Sequence, residues 1–63
     1  MPIQTIQKLI WDAILILRES ELMTNKEAAS IALVRFTWTP KEAKAKLIEL
    51  QERYIKNNNQ AHE

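Results

Sequence analysis

Few side chains in this sequence of 63 residues are equipped for covalent or metal chemistry. It has no Cys, which excludes disulfides and thiolate zinc sites. It has no Gly, so the loop that cradles a nucleotide phosphate is missing. The single His, His62, stands in a polar segment, which points away from a His-based metal cluster and from a nucleophile–His pair. Asp12 and the scattered Glu residues show no spacing that matches a general acid to a base. No catalytic residue, metal ligand or cofactor site is therefore expected, and the chemistry left to the chain is that of contact. Two residue sets suit it. Trp11, Leu15, Leu9, Ile16, Phe36 and Trp38 are apolar side chains that can anchor a protein interface. Lys26, Arg35, Lys41 and Lys44, together with Thr39, are candidates for meeting nucleic-acid phosphates and bases.

The elements that must position these residues are helical. With Gly absent and Pro confined to positions 2 and 40, most hairpin-turn chemistry is lost, while the Ala, Leu, Glu, Lys and Gln content favours helix. Two capping boxes mark helix starts, Thr24-Asn25-Lys26-Glu27 and Thr39-Pro40-Lys41-Glu42. In each, the Thr side chain can accept from the amide three residues on while the Glu reaches back to the Thr amide. Pro40 suits a first helical position. These signals predict an all-α, three-helix domain over residues 1–56, with helices at about 3–20, 25–36 and 40–56. A polar, flexible tail is expected over residues 57–63.

Projected at 100° per residue, the first helix carries Ile3, Ile6, Ile10, Ala13, Ile14 and Leu17 on one stripe. Leu9 and Ile16 widen it on one side and Trp11 and Leu15 on the other, so the apolar arc reaches roughly 260°. Only Lys8, Asp12 and Glu19 form a polar strip. Two short neighbours cover about half of such a helix, so this helix is the most buried of the three and still has apolar surface left over. The second helix is expected to bury Ala29, Ala32, Leu33 and Phe36, with Ile31 and Val34 pointing elsewhere. The third is expected to bury Ala43, Leu47, Leu50 and Tyr54, flanked by Ile48 and Ile55. Its outer face shows Glu42 with Lys46, Glu49 with Arg53, and Glu52 with Lys56 as i, i+4 pairs. Lys26, Arg35, Lys41 and Lys44 are left without such partners.

Size sharpens the contact reading. A chain of 7.4 kDa buries only about 60% of its unfolded surface, which leaves a marginal core. Disulfides, metals and partners are the usual remedies, and composition removes the first two. A homodimer joined through the first helix is therefore expected. The formal net charge of +1 lacks the basic excess of a nucleic-acid domain. The apolar run Leu9 to Leu17 is interrupted by Asp12 and falls short of the ~20 residues of a membrane span. The start MPIQTIQK and the following RESEL do not read as a signal peptide, and a cytoplasmic protein is expected.

The segment Ala32-Leu33-Val34-Arg35-Phe36-Thr37-Trp38-Thr39-Pro40-Lys41-Glu42-Ala43, continuing to Leu47, resembles the A-L-x-x-h-G-h-[ST]-x-x-E-A hairpin of ubiquitin-associated-like helical domains. These include the motor-binding C-terminal domain of RuvA-type Holliday-junction proteins. The match covers about sixteen residues. Phe36 and Trp38 take the apolar positions beside the turn, and Thr37 stands where the family has Gly. The resemblance implies a protein-docking module whose contacts use the Phe36–Trp38 turn and the adjoining helix ends.

Two functions remain open at this level. The first is a small non-enzymatic interaction, adaptor or regulatory protein that associates through its helices. The second is a dimeric helix-turn-helix regulator, in which Thr39, Lys41 and Lys44 approach DNA bases and Lys26 and Arg35 meet phosphates. Against the second, the start of the third helix has no Asn, Gln or Arg to read base edges.

Overall fold

The computed structural model describes the backbone of residues 2–61 and the side chains of residues 2–57; His62 lies outside the described residues. The fold is all-α, with α1 at Ile3–Glu19, α2 at Asn25–Val34 and α3 at Pro40–Ala61. A 3₁₀ turn, Arg35–Thr37, joins α2 to α3. Among the described residues no helix is long and apolar enough to cross a membrane.

The helix ends follow from local chemistry. Glu21 amide donates to the Arg18 carbonyl at 3.1 Å and Leu22 amide to the Leu17 carbonyl at 2.8 Å, the paired bonds of a Schellman stop. Its left-handed position, usually Gly, is filled by Glu21 at φ 61°. At α2, Thr24 Oγ1 accepts from the Glu27 amide at 3.1 Å, but the expected return bond is not made, because the Glu27 carboxylate turns to Arg53 of α3 at 3.2 Å. The box at α3 closes in both directions. Thr39 amide donates to Glu42 Oε1 at 3.0 Å and Glu42 amide to Thr39 Oγ1 at 3.2 Å.

Two boundaries differ from the sequence expectation. The second helix gives way after Val34 rather than at 36, passing into the 3₁₀ turn Arg35–Thr37 before the chain turns extended at Trp38. The last turn accordingly tightens, with Thr37 Oγ1 donating to the Val34 carbonyl at 2.7 Å. Thr37 therefore has no left-handed backbone; Glu21 is the single positive-φ residue among those described. The third helix continues through Ala61 rather than ending near 56, since neither Gly nor Pro interrupts it and each added residue gains an i to i−4 bond.

The core is built around α1, which supplies Ile6, Ile10, Ile14 and Leu17. Met23 of the turn, Ala28 and Ala32 of α2, and Ala43, Leu47 and Leu50 of α3 close on it. Both α2 and α3 pack on α1. The face that α2 presents is a correction to the spacing argument. Ala28 and Ala32 are buried and Ile31 is half-buried, whereas Ala29, Leu33 and Phe36 are exposed. The helix is thus turned by about 100°, one residue, from the expected register. The isoleucines of α1 already fill the space between the helices, and two alanines facing them let the backbones approach. Leu33 and Phe36 in the same place would overfill it.

Candidate protein-interaction surface

The turned α2 places its large apolar side chains beside those left over on α1. Trp11 and Leu15 of α1 face Ala29 and Leu33 across a groove of about 320 Å³, floored by Ala28 and Ala32 and edged by Arg18. A second groove of about 320 Å³ continues it toward the α2–α3 turn, lined by Gln4, Gln7, Lys8, Trp11, Arg35 and Phe36. Trp11 belongs to both, so the two form one continuous face. Leu33 is 75% exposed, Phe36 63% and Trp11 40%, values that mark a surface cluster drawn from three elements.

Arg35 organises the second groove. Its guanidinium carbon lies 4.1 Å from the Phe36 ring centroid and 5.0 Å from that of Trp11, contacts each worth about 0.5–1 kcal/mol at an exposed site. The same group donates through Nη1 to the Ala32 carbonyl, while Gln7 Nε2 donates to the Arg35 carbonyl at 3.5 Å. Both rings are thereby fixed in orientation while their outer faces remain accessible.

The opposite flank of α1 forms a separate groove of about 460 Å³ against α3, lined by Leu9, Ala13, Ile16, Leu50, Tyr54 and Ile55 among others, with Asp12 its single charged residue among those described. Leu9, Ile16 and Ile55 are exposed along it. The polar strip of Lys8, Asp12 and Glu19 runs between the two flanks on the α1 wheel. The six expected anchors therefore divide. Trp11, Leu15 and Phe36 share the α1–α2 face, Leu9 and Ile16 lie on the α1–α3 side, and Trp38 is half-buried against the core, with Lys46 Nζ 5.9 Å from its ring centroid.

The bases divide too. Arg35 is stacked on aromatic rings, and Thr39 Oγ1 is engaged in its cap. Lys41 and Lys44 are exposed at the start of α3, whereas Lys26 lies at the far end of α2, about 14 Å along the helix from Arg35. The ion pairs on α3 also differ from the i, i+4 pattern. Lys46 pairs with Glu49 at 3.1 Å and Arg53 reaches Glu27 at 3.2 Å, because long side chains settle on whichever carboxylate the fold brings near. Among the described residues no three His, Cys, Asp or Glu side chains gather into a metal site.

Sequence reasoning missed Leu33 as a surface residue. Lys26, at i−7 from Leu33 on the same face, is too slight a signal to choose between the two registers. The total accessible surface, 4756 Å², exceeds the roughly 4,200 Å² of a compact monomer of this mass. Comparison with protein-family models, curated proteins and solved structures returns no match for this chain.

Proposed function

We propose that this is a small, non-enzymatic interaction protein of the cytoplasm that works as an adaptor or regulator by docking helices against α1. The observation that carries the reading is the convergence of Trp11, Leu33 and Phe36 from three elements on one exposed face. Aromatic anchors beside an aliphatic one, around a shallow alanine floor, are the residue types that dominate binding energy at helix-mediated interfaces. Self-association belongs to the same proposal and uses the other flank, where Leu9, Ile16 and Ile55 surround a groove with one charged residue. The turn-level resemblance to ubiquitin-associated-like docking modules agrees in placing Phe36 among the contacts.

Affinity capture with wild-type and Leu33→Glu chains tests the docking role. Species retained by the wild type and lost with the variant, at unchanged helical circular dichroism, support it; identical captured sets remove it. Sedimentation of the wild type and Ile16→Glu tests the dimer, and a wild-type monomer at high micromolar concentration removes that part. The helix-turn-helix reading is less favoured, because Arg35 is stacked and Lys26 stands apart from Lys41 and Lys44. A salt-dependent mobility shift on duplex DNA that is lost in Lys41→Glu with Lys44→Glu would reinstate it.

A further inference from the structure

Among the described residues, the charged side chains that line the grooves of the Trp11–Leu33–Phe36 face are all of one sign. Lys8 and Arg35 line one of its grooves and Arg18 the other, and no Asp or Glu lines either among the described residues. Lys26 stands on the flank of α2 that carries Ala29 and Leu33, one heptad before Leu33, and is exposed. The Arg35 guanidinium has no carboxylate within 4 Å among the described residues, and its Nε is buried without a hydrogen-bond partner. In a chain with a net charge of only +1, the described charges lining these two grooves are thus cations alone, with Glu21 and Glu27 beyond Arg18 in a neighbouring recess.

We infer that this face takes an amphipathic helix with acidic flanks, supplied by a different protein, a conclusion that rests on the docking role proposed above. Three features select such an occupant. The face is concave between two helices and follows α1 from Gln4 to Arg18, about 21 Å, the length of four turns of a docked helix. Its α2 wall is low, since Ala29 is exposed there while Ala28 and Ala32 are buried beneath it against α1, which leaves room for apolar anchors between Trp11 and Leu33. Its lining offers cations from both walls, Lys8 and Arg18 of α1 and Arg35 beyond α2, so carboxylates flanking an apolar stripe would pair on either side of the groove. A second copy of the chain is disfavoured here. A two-fold contact sets the same patch of both copies face to face, which would bring the lining cations of one copy, Lys8, Arg18 and Arg35, toward those of the other with no carboxylate among the described lining residues.

The test uses the full-length wild-type chain and two synthetic helical peptides of about 18 residues. Both carry the same Leu and Ile stripe at i, i+3, i+4, i+7 spacing; their flanking positions are Glu in one and Lys in the other. Calorimetric titration should show the acidic peptide binding at least about tenfold more tightly at low salt. The ratio should shrink as the Debye length falls from ~30 Å to ~3 Å. Lys8→Glu with Arg18→Glu should abolish or reverse the preference, and Leu33→Glu should remove binding of both peptides. Equal binding of the two peptides overturns the acidic-helix inference while leaving the docking role standing. A wild-type dimer dissociated by Leu33→Glu overturns it in favour of a second copy. Tighter binding to vesicles of phosphatidylserine and phosphatidylcholine than to the acidic peptide overturns it in favour of a membrane surface. Binding of neither peptide, together with capture unaffected by Leu33→Glu, removes the inference and the docking role together.

Discussion

Leu33→Ala separates the surface described here from a core in the register that spacing alone suggested. Leu33 is 75% exposed, so only about a quarter of its side chain leaves water on folding. Full burial of a leucine is worth about 1.5–3 kcal/mol, which puts the loss at about 0.4–0.8 kcal/mol. Alanine's better helix propensity returns a few tenths, at roughly 0.2 kcal/mol. The net cost is about 0.5 kcal/mol or less. Ile10 is 0% exposed, and Ile10→Ala removes buried methyl groups at a cost of about 2–5 kcal/mol. Total stability for a chain of this length is about 3–9 kcal/mol. Leu33→Ala should therefore shift the melting temperature by no more than about 4 °C, whereas Ile10→Ala should lower it by about 8 °C or more, or unfold the chain. Urea unfolding followed by circular dichroism, repeated from low to high micromolar protein, makes the comparison. A cost of about 2 kcal/mol or more for Leu33→Ala, equal at every concentration, would mean that Leu33 belongs to the core and that the α2 register is wrong. A cost that grows with concentration would mean that a second copy covers the residue.

Thr39→Ala removes the hydroxyl of the reciprocal cap at α3 and should cost about 1 kcal/mol, read as a loss of thermal stability; no change would mean that the cap is idle. Glu21→Gly should stabilise by about 0.5–1 kcal/mol, because relief of the left-handed backbone outweighs the added freedom of the unfolded chain. A lower melting temperature would show that the turn needs the glutamate side chain. For Glu27 and Arg53, a double-mutant cycle with alanine should return a coupling of about 0.2–1 kcal/mol that fades with added salt, and a larger, salt-insensitive value would contradict an exposed pair.

What was legible in the sequence was what is decided locally. Thr24, Thr39 and Glu42 announce helix starts through bonds that span three residues. The α1 stripe was equally plain, because an arc of roughly 260° cannot be turned without leaving apolar side chains exposed. The face of α2 was not legible. Ala28 with Ala32 and Ala29 with Leu33 both satisfy helical spacing, and the choice between them depends on the volume that Ile10 and Ile14 occupy across the groove. The α3 charges were obscure for a related reason, since Glu27 lies 26 residues from Arg53 and no local rule joins them. Trp11 and Leu15 stood out in the sequence as apolar side chains at the edge of the α1 stripe, whereas the exposure of Phe36 and Leu33 beside them required the fold.

The fastening of α2 has a consequence for how the groove behaves. Its fully buried contribution is two methyl groups, Ala28 and Ala32, whereas α1 and α3 lock together through Ile10, Ile14, Leu17, Leu47 and Leu50. Local opening is easiest where little apolar surface is buried, so the α2 amides should exchange before those at the centres of α1 and α3. In the docking role proposed above, the groove would then have one firm wall and one that yields. Such a cleft would adapt to anchors of different girth without disturbing the α1–α3 unit, and would sort its ligands by charge more than by side-chain shape.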